Sequence, residues 1–241
     1  MLFNGKRILV TGATQGIGRA TAQRLRVEGG HTIALGRNAA ALKILQSEIG
    51  CDIICFDLVN IEAIDKKLKE FFPIDYLVNC AGIVEPSPFL ATSAENFERT
   101  MRVNALAPMR LAQILACHWI ETSNPGAIVN VSSLASSVGT PKHAAYCASK
   151  AALDALTRVM AIELGGHKIR VNSVNPVVTK TPMAELAWSD PTAAAAMKAR
   201  IPLGRFAESQ EVAAAIVFLL SESAAMIHGV CLNVDGGFSA G

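Results

Sequence analysis

The chain has 241 residues, 51% apolar and 17% charged, with a formal net charge of +2. That balance provides for a thick core and excludes a disordered polymer, and the near-neutral charge without a basic stripe argues against a dedicated nucleic-acid binder. No uncharged apolar run reaches membrane-spanning length, and the N-terminus lacks the long apolar run of a signal peptide.

The first predicted strand is 7–11, and it runs straight into Thr11-Gly12-Ala13-Thr14-Gln15-Gly16-Ile17-Gly18. A glycine-rich turn between a strand and a helix lets the backbone approach a pyrophosphate, whose charge the free amides of the helix start then receive. Gly12, Gln15, Gly16, Ile17 and Gly18 are therefore dinucleotide-binding candidates, with the helix expected to begin near Arg19. The second strand, 31–36, ends in Gly36-Arg37. NAD-preferring sites place Asp or Glu there for the ribose hydroxyls, whereas Arg37 can pair with a 2′-phosphate, so the expected cofactor is NADP(H). The third strand, 51–56, leads into Asp57-Leu58, where the carboxylate can accept from an adenine amino group or cap the next helix. Asn79, Ala81 and Gly82 follow the fourth strand, 75–79, as small or polar neighbours of the cofactor.

Ser93 precedes a helical run with Asn96 in place of the Glu of a full capping box. Further along the helical pattern, Asn104 is a candidate to kink its helix and hold a water, or else to be a buried Asn that satisfies backbone groups. The fifth strand, 126–132, delivers Ser133 to its C-terminal end, on the side where open parallel sheets bind ligands. Tyr146 and Lys150 then stand one turn apart at the start of a long helix. The three make a proton-transfer set. A phenol of pKa ~10 is a poor base at neutral pH, but a neighbouring ammonium favours its phenolate, and a hydroxyl such as Ser133 can hold a carbonyl oxygen. The last strands are 168–174 and 229–234, with a helix opening at Ser209 between them.

Most of these strands are continuous apolar runs, as strands covered on both faces are. Their alternation with helices predicts a single doubly wound Rossmann domain, 1–241, of the α/β class, with a seven-stranded parallel sheet and helices on both faces. The six cysteines show no metal-ligand spacing and read as buried thiols of a reducing, cytoplasmic compartment; Cys51 and Cys55 would share one strand face.

The set Thr11-Gly12…Gly16-Ile17-Gly18, Asn79…Ala81-Gly82, Asn104, Ser133, Tyr146 and Lys150 resembles the short-chain dehydrogenase/reductase family along the whole chain. The resemblance implies Tyr146 as acid/base, Ser133 as carbonyl binder, Lys150 as partner of the ribose and the phenol, Asn104 as proton relay, and Thr179 and Thr181 as holders of the carboxamide. The stretches 167–172, 188–191 and 200–208 are similar to the family's dicarbonyl/L-xylulose reductase group, which implies NADPH, a small carbonyl or alcohol substrate and a homotetramer. His143 matches that group, which implies a donor to a substrate hydroxyl, whereas Leu134 stands where the group carries a polar residue facing substrate and would suit a smaller or more apolar carbonyl. The Ala-rich stretch 184–200 with Trp188 reads as a mobile substrate lid or a plain surface helix. Cys80 departs from the family's usual second Asn, and Val177 from its Pro-Gly. A ketone of another kind, such as an oxoacyl thioester or a steroid, and a non-catalytic nucleotide-binding scaffold are the alternatives.

Overall fold

The computed structural model describes residues 1–240. Seven parallel strands form one sheet: β1 (Arg7–Thr11), β2 (His31–Gly36), β3 (Asp52–Cys55), β4 (Tyr76–Asn79), β5 (Gly126–Val131), β6 (Ile169–Pro176) and, last in the chain, β9 (Cys231–Val234). Their spatial order is β3-β2-β1-β4-β5-β6-β9. The order reverses between β1 and β4, so connections leave to opposite sides there and open a crevice above the carboxyl ends. Four expected strands, 51–56, 75–79, 168–174 and 229–234, start one or two residues later than the sequence suggested.

Helices cover both faces. The strand side chains alternate between an apolar cluster that takes Ile8, Val10, Ala34 and Val129 and another that takes Leu9, Ile33, Leu77 and Ile128. On the first face lie α1 (Gly16–Val27), α2 (Ala39–Ile49) and α9 (Ser209–Leu220), contributing Leu25, Leu42 and Ile216. On the second lie α3 (Ile64–Lys69) and α5 (Ala107–Glu121), with Leu68, Leu115 and Trp119. Trp119 is sealed in by its indole N–H, which donates to the Ile74 carbonyl at 2.6 Å. Gly126 opposite it has no room for even a methyl group, since a Cβ would stand 2.3 Å from the indole.

Some boundaries differ from the expectation. Helix α1 starts at Gly16, three residues before Arg19, so the last glycines of the turn are part of the helix rather than ahead of it. Ser93 does cap α4 (Ala94–Met101), accepting from the Asn96 amide at 3.1 Å. A short second sheet, β7 (Thr179–Lys180) with β8 (Ala207–Glu208), had not been foreseen. Between them lie α7 (Pro182–Ala187) and α8 (Pro191–Ala199). The cysteines also depart from the expectation. Cys51 is buried ahead of β3, Cys55 is exposed at its end, and Cys117 is exposed too, so the six are not uniformly interior thiols. No helix among the described residues is long and apolar enough to cross a membrane.

Candidate active site

A cleft of about 590 Å³ lies over the carboxyl ends of the strands. At its centre is the turn after β1. A Cβ on Gly12 would come within 2.9 Å of the Ala81 backbone, and one on Gly18 within 2.3 Å of the Gly12 carbonyl. Glycine is therefore required for the turn to nest against the β4 end, and Gly12 and Gly16 also hold φ of +67° and +53°. The Thr11 hydroxyl fastens the same junction by accepting from the amides of Cys80 and Ala81, both at 3.0 Å.

One end of the cleft is lined by Arg37, Asn38, Asp57 and Leu58 and the other by Ile83, Tyr146, Lys150 and Thr181. Arg37 is exposed, 3.9 Å from Asp57, and the Asp57 carboxylate accepts from the Val59 amide at 3.0 Å, capping a 3-10 turn. The capping role weighed for Asp57 is thus real, and the residue also lines the cleft. The residues present fit a dinucleotide. The helix start offers amides to a pyrophosphate, an exposed guanidinium stands at the β2 end, and a phenol and an ammonium stand at the other end.

Tyr146 and Lys150 lie on the first turns of α6 (Ala144–Leu164). The Lys150 ammonium is buried, donates to the Val131 carbonyl at 2.9 Å and stands 5.6 Å from the Tyr146 ring centre. Burial draws its pKa down to about 8, opposed by Cys80 and Asp154. Burial pushes the Tyr146 phenol above its ordinary value, opposed by its hydrogen bond with Ser133. The sequence had led us to expect a lowered phenol; in the protein by itself desolvation is the larger effect. Burial likewise pushes the Cys80 thiol up to about 12, which keeps it neutral.

Two further groups of bonds hold this arrangement. Asn104 sits in a π-turn (Arg102–Leu106) joining α4 to α5, so the helix is interrupted where the sequence placed a kink. Its Oδ1 accepts from the Ile83 amide at 2.8 Å, and its Nδ2 donates to the Ile83 carbonyl at 2.9 Å and to Ser149 Oγ at 3.0 Å. A Cβ on Gly82 would lie 3.4 Å from Asn104 Oδ1 and 3.5 Å from Lys150 Nζ, so both polar ends converge on that glycine. Behind Ser133, the buried Asp154 of α6 accepts from Asn175 Nδ2 at 2.6 Å, and Asn175 donates in turn to Ser136 Oγ at 3.0 Å. Neither Asp154 nor Asn175 was singled out from the sequence, since only the packing of α6 on β6 brings them together.

Not every expected site residue faces the cleft. The Asn79 side chain points into the sheet, donating to Asn130 Oδ1 at 2.9 Å. Thr179 is buried with its hydroxyl spent on the Val177 carbonyl at 2.9 Å, whereas Thr181 does line the cleft. Leu134 is 5% exposed and belongs to the apolar core, so it does not present the substrate face assigned to it. A residue following the serine in a 3-10 turn faces inward here because an apolar pocket is available. His143 stands 6.2 Å from Tyr146, ring edge to face, with Nδ1 2.7 Å from the Pro141 carbonyl. Trp188 packs on Phe206 at 5.8 Å. The cleft also takes in Arg99 from α4 and Val103 from the π-turn that follows it, which no local signal in the sequence marked.

Comparison with known proteins agrees with this geometry. A family model described as enoyl-(acyl carrier protein) reductase matches residues 12–239. L-xylulose reductase of Homo sapiens is 48% identical over 241 residues, covering 100% of this chain and 99% of that protein. Carbonyl reductase [NADPH] 2 of Sus scrofa is 44% identical over 241 residues, covering 100% and 99%. Among solved structures, one described as a short chain dehydrogenase/reductase family protein superposes with a TM-score of 0.92 at 33% identity, covering 99% and 100%. With the glycine turn, Asn104, Ser133, Tyr146 and Lys150 in their places on such a fold, the chain belongs to the short-chain dehydrogenase/reductase family.

Proposed function

We propose that this protein is an NADPH-dependent carbonyl reductase of the L-xylulose and α-dicarbonyl type, with residues 1–241 forming one catalytic domain. One observation carries the reading. Arg37, the glycine turn and the Tyr146–Lys150 pair line a single cleft, with a phosphate-compatible cation at one end and a proton donor at the other. The similarity to L-xylulose reductase and to an NADPH-named carbonyl reductase supports the substrate class and the cofactor.

When bound, NADPH supplies a hydride to the carbonyl carbon. The chain's own residues manage the oxygen. Ser133 Oγ donates to it and offsets the charge that develops there. Tyr146 O–H gives it a proton as the alcohol forms, and takes one back in the reverse direction. The Lys150 ammonium, charged at neutral pH with a pKa of about 8, stabilises the resulting phenolate and is placed to hold the ribose hydroxyls. Asn104, converging with Lys150 on Gly82, sets the relay that returns the proton from solvent. Gly12, Gln15, Gly16, Ile17 and Gly18 seat the pyrophosphate, Arg37 the 2′-phosphate, Asp57 and Leu58 the adenine, Ala81 and Gly82 the central backbone, and Thr181 the carboxamide. His143, beside Tyr146, is assigned to a substrate hydroxyl and Trp188 to a closing lid. The exposed Val159 and Ile162 on α6 support a homo-oligomer, proposed as a tetramer, and the unpaired cysteines suit the cytoplasm.

NADPH oxidation with L-xylulose, diacetyl and an acetoacetyl thioester tests the reading. We expect kcat/KM for the first two to exceed that for the thioester by at least about tenfold; the reverse order, or no oxidation with any of them, would overturn it.

A further inference from the structure

Gly36 holds the position where a strand-end carboxylate would select NAD, 20 residues after Gly16. Its backbone is not in the left-handed region, so the turn itself does not demand glycine there. The neighbour that does is Thr14. A Cβ on Gly36 would stand 2.8 Å from the Thr14 methyl carbon, while Leu42 Cδ2 at 3.6 Å is at ordinary contact distance.

The backbone is fixed on both sides of this contact. Gly36 is paired with Cys55 in the β2–β3 ladder, and its carbonyl accepts from the Phe56 amide at 2.9 Å. The turn is pinned from the other side, because the Ala13 amide donates to the Leu35 carbonyl at 3.2 Å. Relief therefore requires Thr14 to leave its rotamer inside a half-buried wall of the cleft. Thr14 and Gly36 interlock across the junction of turn and strand.

We infer that Thr14 is a cofactor-selectivity residue: its methyl group occupies the space that a side chain at position 36 needs, holding the strand end free of a carboxylate and leaving it to Arg37 and a 2′-phosphate. The inference rests on the NADPH reading given above and adds that the preference is enforced by packing as well as by charge. It follows that acidifying position 36 alone does not convert the site. The methyl of residue 14 must be removed as well.

The test combines Gly36→Ala and Gly36→Asp with Thr14→Ser, which removes the methyl and keeps the hydroxyl. Thermal melting of the protein without cofactor reads the collision, and fluorescence titration with NADPH and NADH reads selectivity. Gly36→Ala should lower Tm in the parent and do so by less than half as much beside Thr14→Ser. The double variant Thr14→Ser/Gly36→Asp should bind NADH at least tenfold more tightly than Gly36→Asp. Equal Tm losses in both backgrounds, or NADH binding by Gly36→Asp as tight as by the double variant, would overturn the inference while leaving the cofactor reading intact. A parent that binds NADH more tightly than NADPH would overturn the cofactor reading and the inference together.

Discussion

Lys150 joins α6 to the carboxyl end of β5 through a 2.9 Å bond from its ammonium to the Val131 carbonyl. A buried cation so placed titrates away from its solution value, to about 8. The unfolded chain therefore holds more protons than the folded one between about pH 8 and 10.5, and the stability due to this residue rises with pH across that window. Urea unfolding of the parent and of Lys150→Met at pH 7.5 and pH 10 should show the difference between them moving in the parent's favour by about 2 kcal/mol. Parallel pH profiles would contradict the lowered pKa.

Tyr146→Phe removes the proton donor and keeps the ring that walls the cleft. Turnover should fall by ~10³-fold while the Kd for NADPH stays within about threefold, since general acid–base catalysis is worth that much and the ring's contacts persist. Comparable kcat in the variant would remove the phenol from the chemistry.

Arg37→Asp replaces the exposed guanidinium with a second carboxylate close to Asp57. The loss of charge-assisted bonds to a phosphate should weaken NADPH binding by roughly 10–100-fold and leave NADH binding much less affected. A ratio of kcat/KM for the two cofactors that does not move would place the 2′-phosphate elsewhere.

Asn104→Ala should destabilise the protein before any catalytic effect is considered. It strips the Ile83 amide and carbonyl of their side-chain partner in a part-buried loop, at a cost of about 2–4 kcal/mol in urea unfolding. An unaltered midpoint would mean that other groups or water satisfy Ile83.

The sheet was legible in the sequence because strands covered on both faces are uninterrupted apolar runs, and functional groups then follow at their ends by the geometry of a parallel sheet. Ser133 could be placed that way, and Tyr146 and Lys150 by their one-turn spacing at the start of a helix. The start of α1 could not, since glycines are poor helix formers and conceal a helix that begins on them. Strands β7 and β8 have two residues each, too few for any period to show. The burial of Leu134 was not legible because chain proximity to Ser133 says nothing about which side of a 3-10 turn a residue takes. Thr14 gave no signal at all until β2 was laid beside the turn.

The wide turn at Arg102–Leu106 fixes the length of the chain as well as its shape. The Ala107 amide reaches back five residues to the Arg102 carbonyl, one more than an ordinary helix allows. Deleting any single residue here would wind the segment into a regular spiral and turn everything on one side by about 100°. A different side chain would then face Ile83, and the Ser93 cap and the Trp119 anchor would no longer fit the same body. A stretch that reads as plain amphipathic helix therefore tolerates substitution at its surface but not a change in count.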